Sequence, residues 1–364
     1  LLAVDHIRLQ TKQSFASTLS GTDLIVGSRT SSINLLLYSV FRIGSPTANL
    51  NWDSYQYFKN HPKVAWTIPI SLGDSHKGFR VMGTTQDFFL HYQYGNKKKV
   101  AFAEGKKFND MTEVVLGADV AKQLHYTINN PIVLAHGIAA TSFSIHDQHP
   151  FSIVGILEPT GTPIDQSLYV SLQGIEAIHN NTASTTSITA FMVGLTSRMS
   201  TFALQKNINQ YSAEALTAIL PGVALSELWQ IVGSVEDILA VISYLVLLAS
   251  LLGLSAMLLA SIRERQQEIH LLRIIGAPPS YIFLIIELEA ILIALIGSGL
   301  SLLALTSVLI AFQSTLTTEL GLRLSANLFS MNNLLILALV QIAAIIAAAI
   351  PAAMAYRSAK YTIN

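Results

Sequence analysis

Cysteine is absent from all 364 residues of the chain. A chain without thiols forms no disulfide and offers no thiolate to a metal ion, so both kinds of site are excluded. By itself the absence does not indicate a cellular compartment.

Charged residues are scarce, at 12% of the chain against about 25% in typical soluble domains, while 51% of the residues are hydrophobic. The scarcity is local. Residues 238–364 carry six Lys or Arg and five Asp or Glu, whereas residues 1–237 carry 16 and 17. The net charge is zero, so the chain lacks the basic surface of a nucleic-acid-binding protein. Composition therefore predicts a globular N-terminal part and a membrane-embedded C-terminal part.

Several catalytic and nucleotide-binding motifs are also missing from the sequence. It contains no G-x-x-x-x-G-K-[ST], G-x-S-x-G or H-E-x-x-H pattern. We therefore expect no P-loop ATP site, and a membrane-bound hydrolase or zinc protease has no support. The sequence therefore predicts that the protein is not an enzyme and that it binds no cofactor of its own.

Three segments, 238–260, roughly 281–312 and 334–355, are long and apolar enough to cross a bilayer. Twenty-three helical residues cover about 34 Å, more than the ~30 Å hydrocarbon core. Residues 1–4, LLAV, precede polar sequence and are expected to end a first transmembrane helix. The alternative is the remnant of a cleaved signal sequence.

Basic residues near the spans predict the orientation. Of the six Lys or Arg after residue 237, three lie in the loop 261–280 and two follow the last span, whereas the loop 313–333 has only Arg323. Positive charge is retained on the cytoplasmic side of membranes. The loop 261–280 and the C-terminus are therefore expected inside, and the large N-terminal part outside.

The N-terminal part alternates between two signals, which predicts an α+β domain. Strand-like segments lie at 63–72, 78–85, 112–117, 130–137, 149–157 and 187–195, and helix-like segments at 52–61, 118–126, 172–180 and 198–212. The apolar-rich segment 22–44 is either a strand leading to an amphipathic helix near the membrane, which we favour, or a partner-binding surface.

A charged island, RERQQEIHLLRIIGAPPS (263–280), separates two apolar runs. It predicts a short amphipathic helix with one apolar stripe formed by Ile262, Ile269, Leu272 and Ile275. Gly276 suits the helix end, and the following prolines suit the start of the next helix. The alternative is a solvated loop whose arginines only fix the topology.

The island and the helix after it resemble the signature of FtsX/MacB/LolC-type ABC transporter permeases, E-R-x-x-E-I-x-x-L-[RK]-x-[LI]-G-A followed by an apolar helix with an early glutamate. The resemblance implies that the island is the coupling helix that docks on an ABC ATPase. The residues implied in this coupling are Arg263, Glu264, Arg265, Glu268, Ile269, Leu272, Arg273 and Gly276. Glu287 matches the early glutamate, and with Glu289 it is expected to have a coupling or structural role rather than to line a substrate path.

The resemblance extends over most of the chain. Pro351 and the AAMAYRSA after it look like the family's end of the last helix, and V-V-L-G-A-x-x-A (114–121) with F-x-I-V-G-I-L (151–157) resembles the MacB-like periplasmic core domain. The family usually has Gly-Asp before the strand at residue 131, where this chain has Asn129-Asn130. Asparagine also suits a turn, but the turn geometry at this place is left open.

The resulting fold class is a transmembrane helical bundle, with four helices expected and three complete in this chain, plus an α+β extracytoplasmic domain. The predicted divisions are the end of a truncated first transmembrane helix (1–4), the extracytoplasmic MacB-like domain (5–232), transmembrane helix 2 (233–262), the coupling helix (263–279), transmembrane helix 3 (280–312), an extracytoplasmic loop (313–332), transmembrane helix 4 (333–356) and a cytoplasmic tail (357–364).

Four residues of metal-ligating types cluster within 14 positions: His136, His146, Asp147 and His149. This spacing could hold zinc. The other interpretation, which we favour, is a polar hairpin between two strands.

By resemblance, the chain is a non-catalytic permease subunit of a type VII ABC transporter in a bacterial inner membrane, with its large domain in the periplasm. ATP and Mg would be bound by two copies of a separate ATPase. Other implied partners are a second permease copy, a periplasmic or lipoprotein accessory protein and membrane lipid, but no nucleic acid. The substrate would be a lipoprotein, peptide or drug, and whether this substrate is linked to metal ions is left open. The alternative function is an FtsX-like regulator that activates a periplasmic partner without transport.

Overall fold

The computed structural model describes residues 2–6, 18, 20–136, 150–180, 184–320 and 330–361. The chain divides into two compact units. The N-terminal unit is Thr11–Ile231 with Ser314–Arg323, and the helical unit is Leu1–Gln10, Val232–Gln313 and Leu324–Asn364.

The N-terminal unit is built on strands joined by short helices, which confirms the α+β prediction. Its strands are β1 (Leu24–Ser28), β2 (Leu50–Asn51), β3 (Val64–His76), β4 (Phe79–Thr84), β5 (Gln93–Tyr94), β6 (Lys98–Lys99), β7 (Phe102–Gly105), β8 (Glu113–Leu116), β9 (Pro131–Ile132), β10 (Ala135–His136), β11 (Phe151–Leu157), β12 (Ser167–Ser171), β13 (Ser187–Ile188), β14 (Ala190–Leu195) and β15 (Leu216–Ile219). Its helices are α1 (Ser32–Leu36), α2 (Trp52–Lys59), α3 (Asp87–His91), α4 (Ala118–Leu124), α5 (Leu172–Asn180) and α6 (Thr201–Asn209), with a π-helix at Leu37–Phe41 and 3₁₀ turns at Pro163–Gln166 and Arg198–Ser200.

Most strands join one mixed sheet in the order β15-β1-β14-β3-β4-β12-β8-β11-β7, with β10 beside β3 and β9 beside β11. The pairs β4–β12 and β8–β11 are parallel and the other pairs are antiparallel. Each predicted strand-like segment overlaps at least one of these strands, and each predicted helix-like segment contains a helix. The segment 22–44 contains the strand β1 followed by α1 and the π-helix, which confirms the favoured order of strand and helix; its location near the membrane stays a prediction.

Alternating side chains divide the core between the two faces of the sheet, as the two-residue period of a strand requires. On β8, Val115 faces one hydrophobic cluster while Val114 and Leu116 face another. On β12, Tyr169 belongs to the first cluster and Leu168 to the second. The helix α1, the π-helix and α3 cover the first face, which is rich in aromatic side chains.

The helical unit is formed by α7 (Pro221–Glu264), α8 (Gln266–Ile274), α9 (Pro279–Leu320) and α10 (Met331–Tyr361). Three of them contain candidate membrane spans by length and composition, Pro221–Glu264, Pro279–Phe312 and Met331–Arg357, which confirms the three predicted spans. At 1.5 Å per residue, the 44 residues of α7 are about 66 Å long, well beyond a ~30 Å hydrocarbon core.

Polar contacts connect these long helices. Ser255 on α7 donates its hydroxyl to the carbonyl oxygen of Ala347 on α10 at 2.8 Å. Gln341 on α10 donates its amide to the hydroxyl of Ser298 on α9 at 3.2 Å. Such bonds within lipid fix how helices pair, although each contributes only about 1 kcal/mol.

Candidate functional site

The charged island folds as the short helix α8, held between the ends of α7 and α9. The backbone bends at Arg265, which has φ −91° and ψ 17° and lies between α7 and α8. Helical hydrogen bonds continue on both sides of the bend, since Arg265 N donates to Ser261 O and Ile269 N donates to Arg265 O, each at 3.0 Å. The helix α8 is therefore a bent continuation of α7 rather than a flexible loop.

The end of α8 is a Schellman motif, which fixes the turn into α9. Gly276 has φ +97°, a left-handed conformation that favours glycine. Its N–H donates to Arg273 O, and the N–H of Ala277 donates to Leu272 O at 3.0 Å. The predicted role of Gly276 at the helix end is confirmed.

Ile269 packs one side of α8 against the helical unit. It contacts a cluster that contains Leu258 of α7, Ile282 and Ile286 of α9, and small side chains of α10. Ile262, at the end of α7, packs against the same cluster. The packed side of α8 therefore lies against a cluster to which all three long helices contribute.

A second apolar stripe on α8 is exposed. Leu271, Ile274 and Ile275 are 62%, 68% and 80% exposed, and their i, i+3, i+4 spacing places them on one side. The prediction that Ile275 shares the stripe of Ile262 and Ile269 is wrong. Thirteen residues at 100° each turn Ile275 more than 120° away from Ile262.

Some charged residues of the island are exposed to solvent, whereas Arg265 and Arg273 contact other parts of the helical unit. Arg263, Glu264 and Glu268 are exposed. Arg265 Nη1 lies 3.9 Å from Glu289 Oε2 and so connects the bend to α9. Arg273 Nη1 donates to the carbonyl oxygen of Ala277 at 2.9 Å, across the Schellman turn. Arg273 thus stabilises the turn itself.

The two predicted glutamates of α9 have different surroundings. Glu289 is partly exposed and pairs with Arg265. Glu287 is only 8% exposed, and neither carboxylate oxygen has a hydrogen-bond partner among the described residues. Ile286, next to it in the chain, and Ala290, three residues later, belong to the cluster that Ile269 contacts. Glu287 is therefore a polar group inside the packed helices rather than part of the exposed surface.

Two family models match the chain. The model of the FtsX-like permease C-terminal region matches residues 240–360, and the model of the MacB-like periplasmic core domain matches residues 1–211. The chain belongs to the FtsX-like permeases with a MacB-like periplasmic core domain. This is a family of ABC transporter permeases, in general non-catalytic, whose members work with an ABC ATPase. The permease is a membrane protein with an extracytoplasmic domain.

Similarity to solved structures is weak at the level of sequence. The periplasmic region of MacB from Actinobacillus actinomycetemcomitans is 11% identical, with a TM-score of 0.37 over 58% of the permease and 94% of that chain. The extracellular domain of the noncanonic ABC-type transporter YknZ from Gram-positive bacteria is 11% identical, with a TM-score of 0.35 over 54% of the permease and 99% of that chain. No curated protein matches.

The predicted histidine cluster falls mostly outside the described residues, which include neither His146, Asp147 and His149 nor the side chain of His136. The backbone of His136 pairs with Asp74 of β3. Within the part of the chain that the structure describes, no group of three His, Asp or Glu side chains could hold a metal ion.

Sequence reasoning missed two features of the site. The Arg265–Glu289 pair joins residues 24 positions apart, and the spacing gave no signal for it. The exposed stripe could have been found, because Leu271, Ile274 and Ile275 follow the same helical spacing used for the buried one.

Proposed function

We propose that this permease couples ATP hydrolysis by a separate ATPase to motion of its extracytoplasmic domain, as the permease subunit of a type VII ABC transporter. The observation that carries the proposal is the two-sided character of α8. One side is packed through Ile269 against α7, α9 and α10, and the other exposes Leu271, Ile274 and Ile275 beside charged residues. A cytoplasmic subunit covering the exposed stripe would push directly on the packed side.

The path of force follows from covalent continuity and from the turn. The bend at Arg265 is hydrogen-bonded on both sides, so a displacement of α8 is passed into α7. Since α7 continues to Pro221, the same helix reaches the N-terminal unit. At the other end of α8, Gly276 and Arg273 hold the turn rigid before α9 begins.

We further propose that α8 faces the cytoplasm of a bacterial cell, that two permease copies pair with two ATPase copies which bind ATP and Mg, and that the cargo is an envelope substrate such as a lipoprotein, peptide or drug. The grouping of arginines around α8 supports the orientation. Membership of the family supports the presence of an ATPase partner and the pairing of permease subunits.

Co-purification with the cognate ABC ATPase tests the docking surface. We expect Ile274→Asp and Glu264→Lys each to lower the amount of bound ATPase at least tenfold, because one adds a charge to the exposed stripe and the other reverses a charge beside it. Met331→Asp is the matched control, since Met331 is 75% exposed but lies at the start of α10. Its ATPase binding should equal that of the unmodified permease.

Arg273 is a poor probe of docking, because its side chain braces the turn and its loss would disturb α8 itself. Unchanged ATPase binding in both Ile274→Asp and Glu264→Lys would contradict the assignment. Equal loss in Met331→Asp would show a general effect of added charge and would also contradict it.

A further inference from the structure

Two arginines converge on one turn of the N-terminal unit. Arg42 follows the π-helix, and its Nη1 donates to the carbonyl oxygen of Ser39. Arg80 lies on β4, and its Nη2 donates to the carbonyl oxygen of Gly44 at 2.6 Å. Arg42 also contacts the sulfur of Met82, which lies two residues from Arg80 and therefore on the same face of β4. Arg42 and Arg80 are therefore close enough for the positive charge of Arg42 to act on Arg80.

Neither arginine forms an ion pair with a carboxylate in the described ranges of the chain. Both are partly buried. Burial lowers the pKa of Arg42, and burial followed by the positive charge of Arg42 lowers the pKa of Arg80. Two like charges in a partly desolvated place repel each other strongly unless an opposite charge is supplied.

The backbone at Arg42 has a left-handed conformation that a helix end usually gives to glycine. Arg42 has φ 62° and ψ 22°, and its N–H and that of Ile43 both donate to Leu37 O, as at a helix end that normally uses glycine. Gly276 occupies the corresponding position after α8. The preceding five residues form a π-helix, a rare conformation that is frequent at functional sites. Backbone preference alone would place glycine at position 42.

We propose that Arg42 and Arg80 form a binding site for a phosphate-type oxyanion, supplied by a lipid headgroup or as free phosphate. Guanidinium groups bind phosphate oxygens through parallel N–H donors, which gives both charge and fixed geometry. The carbonyl oxygens of Ser39 and Gly44 each accept one N–H and so orient the two side chains. Arg42 also contacts the sulfur of Met82 and the hydroxyl of Tyr169. The N–H groups of the two arginines that these contacts leave over are the donors for the anion.

Titration of the full-length permease in detergent, at constant ionic strength, tests the site. The probes are inorganic phosphate and dihexanoyl phosphatidic acid, with dihexanoyl phosphatidylcholine as the control for the acyl chains. Saturable binding of both phosphate probes supports a site that recognises the phosphate group from either source. Binding of the phosphatidic acid alone supports a lipid headgroup as the source.

Three variants make the result specific. Arg42→Gly suits the left-handed backbone and should leave the helix end intact, while binding weakens at least about tenfold. Arg80→Gln should weaken binding by a similar factor. Arg198→Gln removes an exposed positive charge elsewhere in the same unit and should bind as the unmodified permease does.

The proposal is overturned by any of three results. The first is that neither phosphate probe binds. The second is that Arg42→Gly and Arg80→Gln bind as tightly as the unmodified permease. The third is that Arg198→Gln weakens binding as much as they do, which would indicate attraction to net charge alone.

Discussion

At the residue scale, buried polar side chains of this permease differ in whether the fold provides partners. His76, at the end of β3, is 7% exposed and has a partner at each ring nitrogen. Its Nδ1 lies 2.6 Å from the carbonyl oxygen of Val133, and its Nε2 lies 2.9 Å from the hydroxyl of Tyr126. A neutral ring that donates at Nδ1 and accepts at Nε2 satisfies both contacts.

Acidification should destabilise the N-terminal unit through His76. Burial is the main cause that lowers the pKa of His76 below 6.5, and the charge of Lys77 acts in the same direction. The unfolded chain therefore binds the proton more readily, so this contribution to stability is complete above about pH 6.5 and is lost as the pH falls below it. We expect the midpoint of thermal unfolding to decrease between pH 7.5 and pH 5, and to decrease less in His76→Gln.

His125→Asn is the control for this measurement. His125 is exposed with φ 53°, a conformation that asparagine tolerates. This variant should keep the pH dependence of the unmodified permease. If His76→Gln showed an unchanged pH dependence, His76 would not be its source.

At the element scale, the turn between α8 and α9 is set by one glycine. A Cβ at Gly276 would meet no atom within 4 Å, so the cost of a larger residue there arises from the backbone alone. The hydrogen bond from Ala277 N to Leu272 O depends on this left-handed conformation. The geometry of the turn after α8 therefore depends on position 276.

We expect Gly276→Ala to weaken this turn by about 1–2 kcal/mol, because an L side chain disfavours the left-handed region. Amide hydrogen exchange of Ala277 should become about 5- to 30-fold faster. Gly297→Ala is the matched control, since a Cβ there also meets nothing within 4 Å but the residue lies inside helix α9. In the control, amide exchange at Ala277 should be as slow as in the unmodified permease. If Gly276→Ala also left this exchange rate unchanged, the role assigned to the glycine would be contradicted.

At the scale of the whole molecule, α7 belongs to both compact units, because the division between them falls at Ile231 and Val232 within one helix. No break in the helix lies at this division, so the proposed coupling would run along α7. The proposed orientation places the two ends of α7 on opposite sides of the membrane.

The absence of cysteine allows this topology to be tested with single introduced thiols. We expect Gln267→Cys, on α8, to react with a membrane-impermeant maleimide only after the cytoplasmic side is opened. Asn96→Cys, between β5 and β6, should react in intact spheroplasts. Both side chains are exposed. Reaction of Gln267→Cys in intact spheroplasts would contradict the proposed orientation.

The strands and helices that could be predicted were those with long local patterns. The segment 63–72 is rich in β-branched and aromatic residues and overlaps β3 from Val64 onward. By contrast, β12 has five residues, all buried, in the centre of the sheet, and was missed. A short buried strand has no alternation to detect. The sheet order was also beyond prediction, because pairing depends on contacts between distant segments.

The sequence by itself determined the membrane spans, the α+β character and the family, because hydrophobic length, residue periodicity and a local motif can be detected without contacts. Only the tertiary structure decided which side of α8 is covered, that Arg265 reaches Glu289, that Glu287 lacks a partner among the described residues, and that Arg42 lies beside Arg80. These depend on distances between residues far apart in the chain, which packing sets and local sequence does not encode.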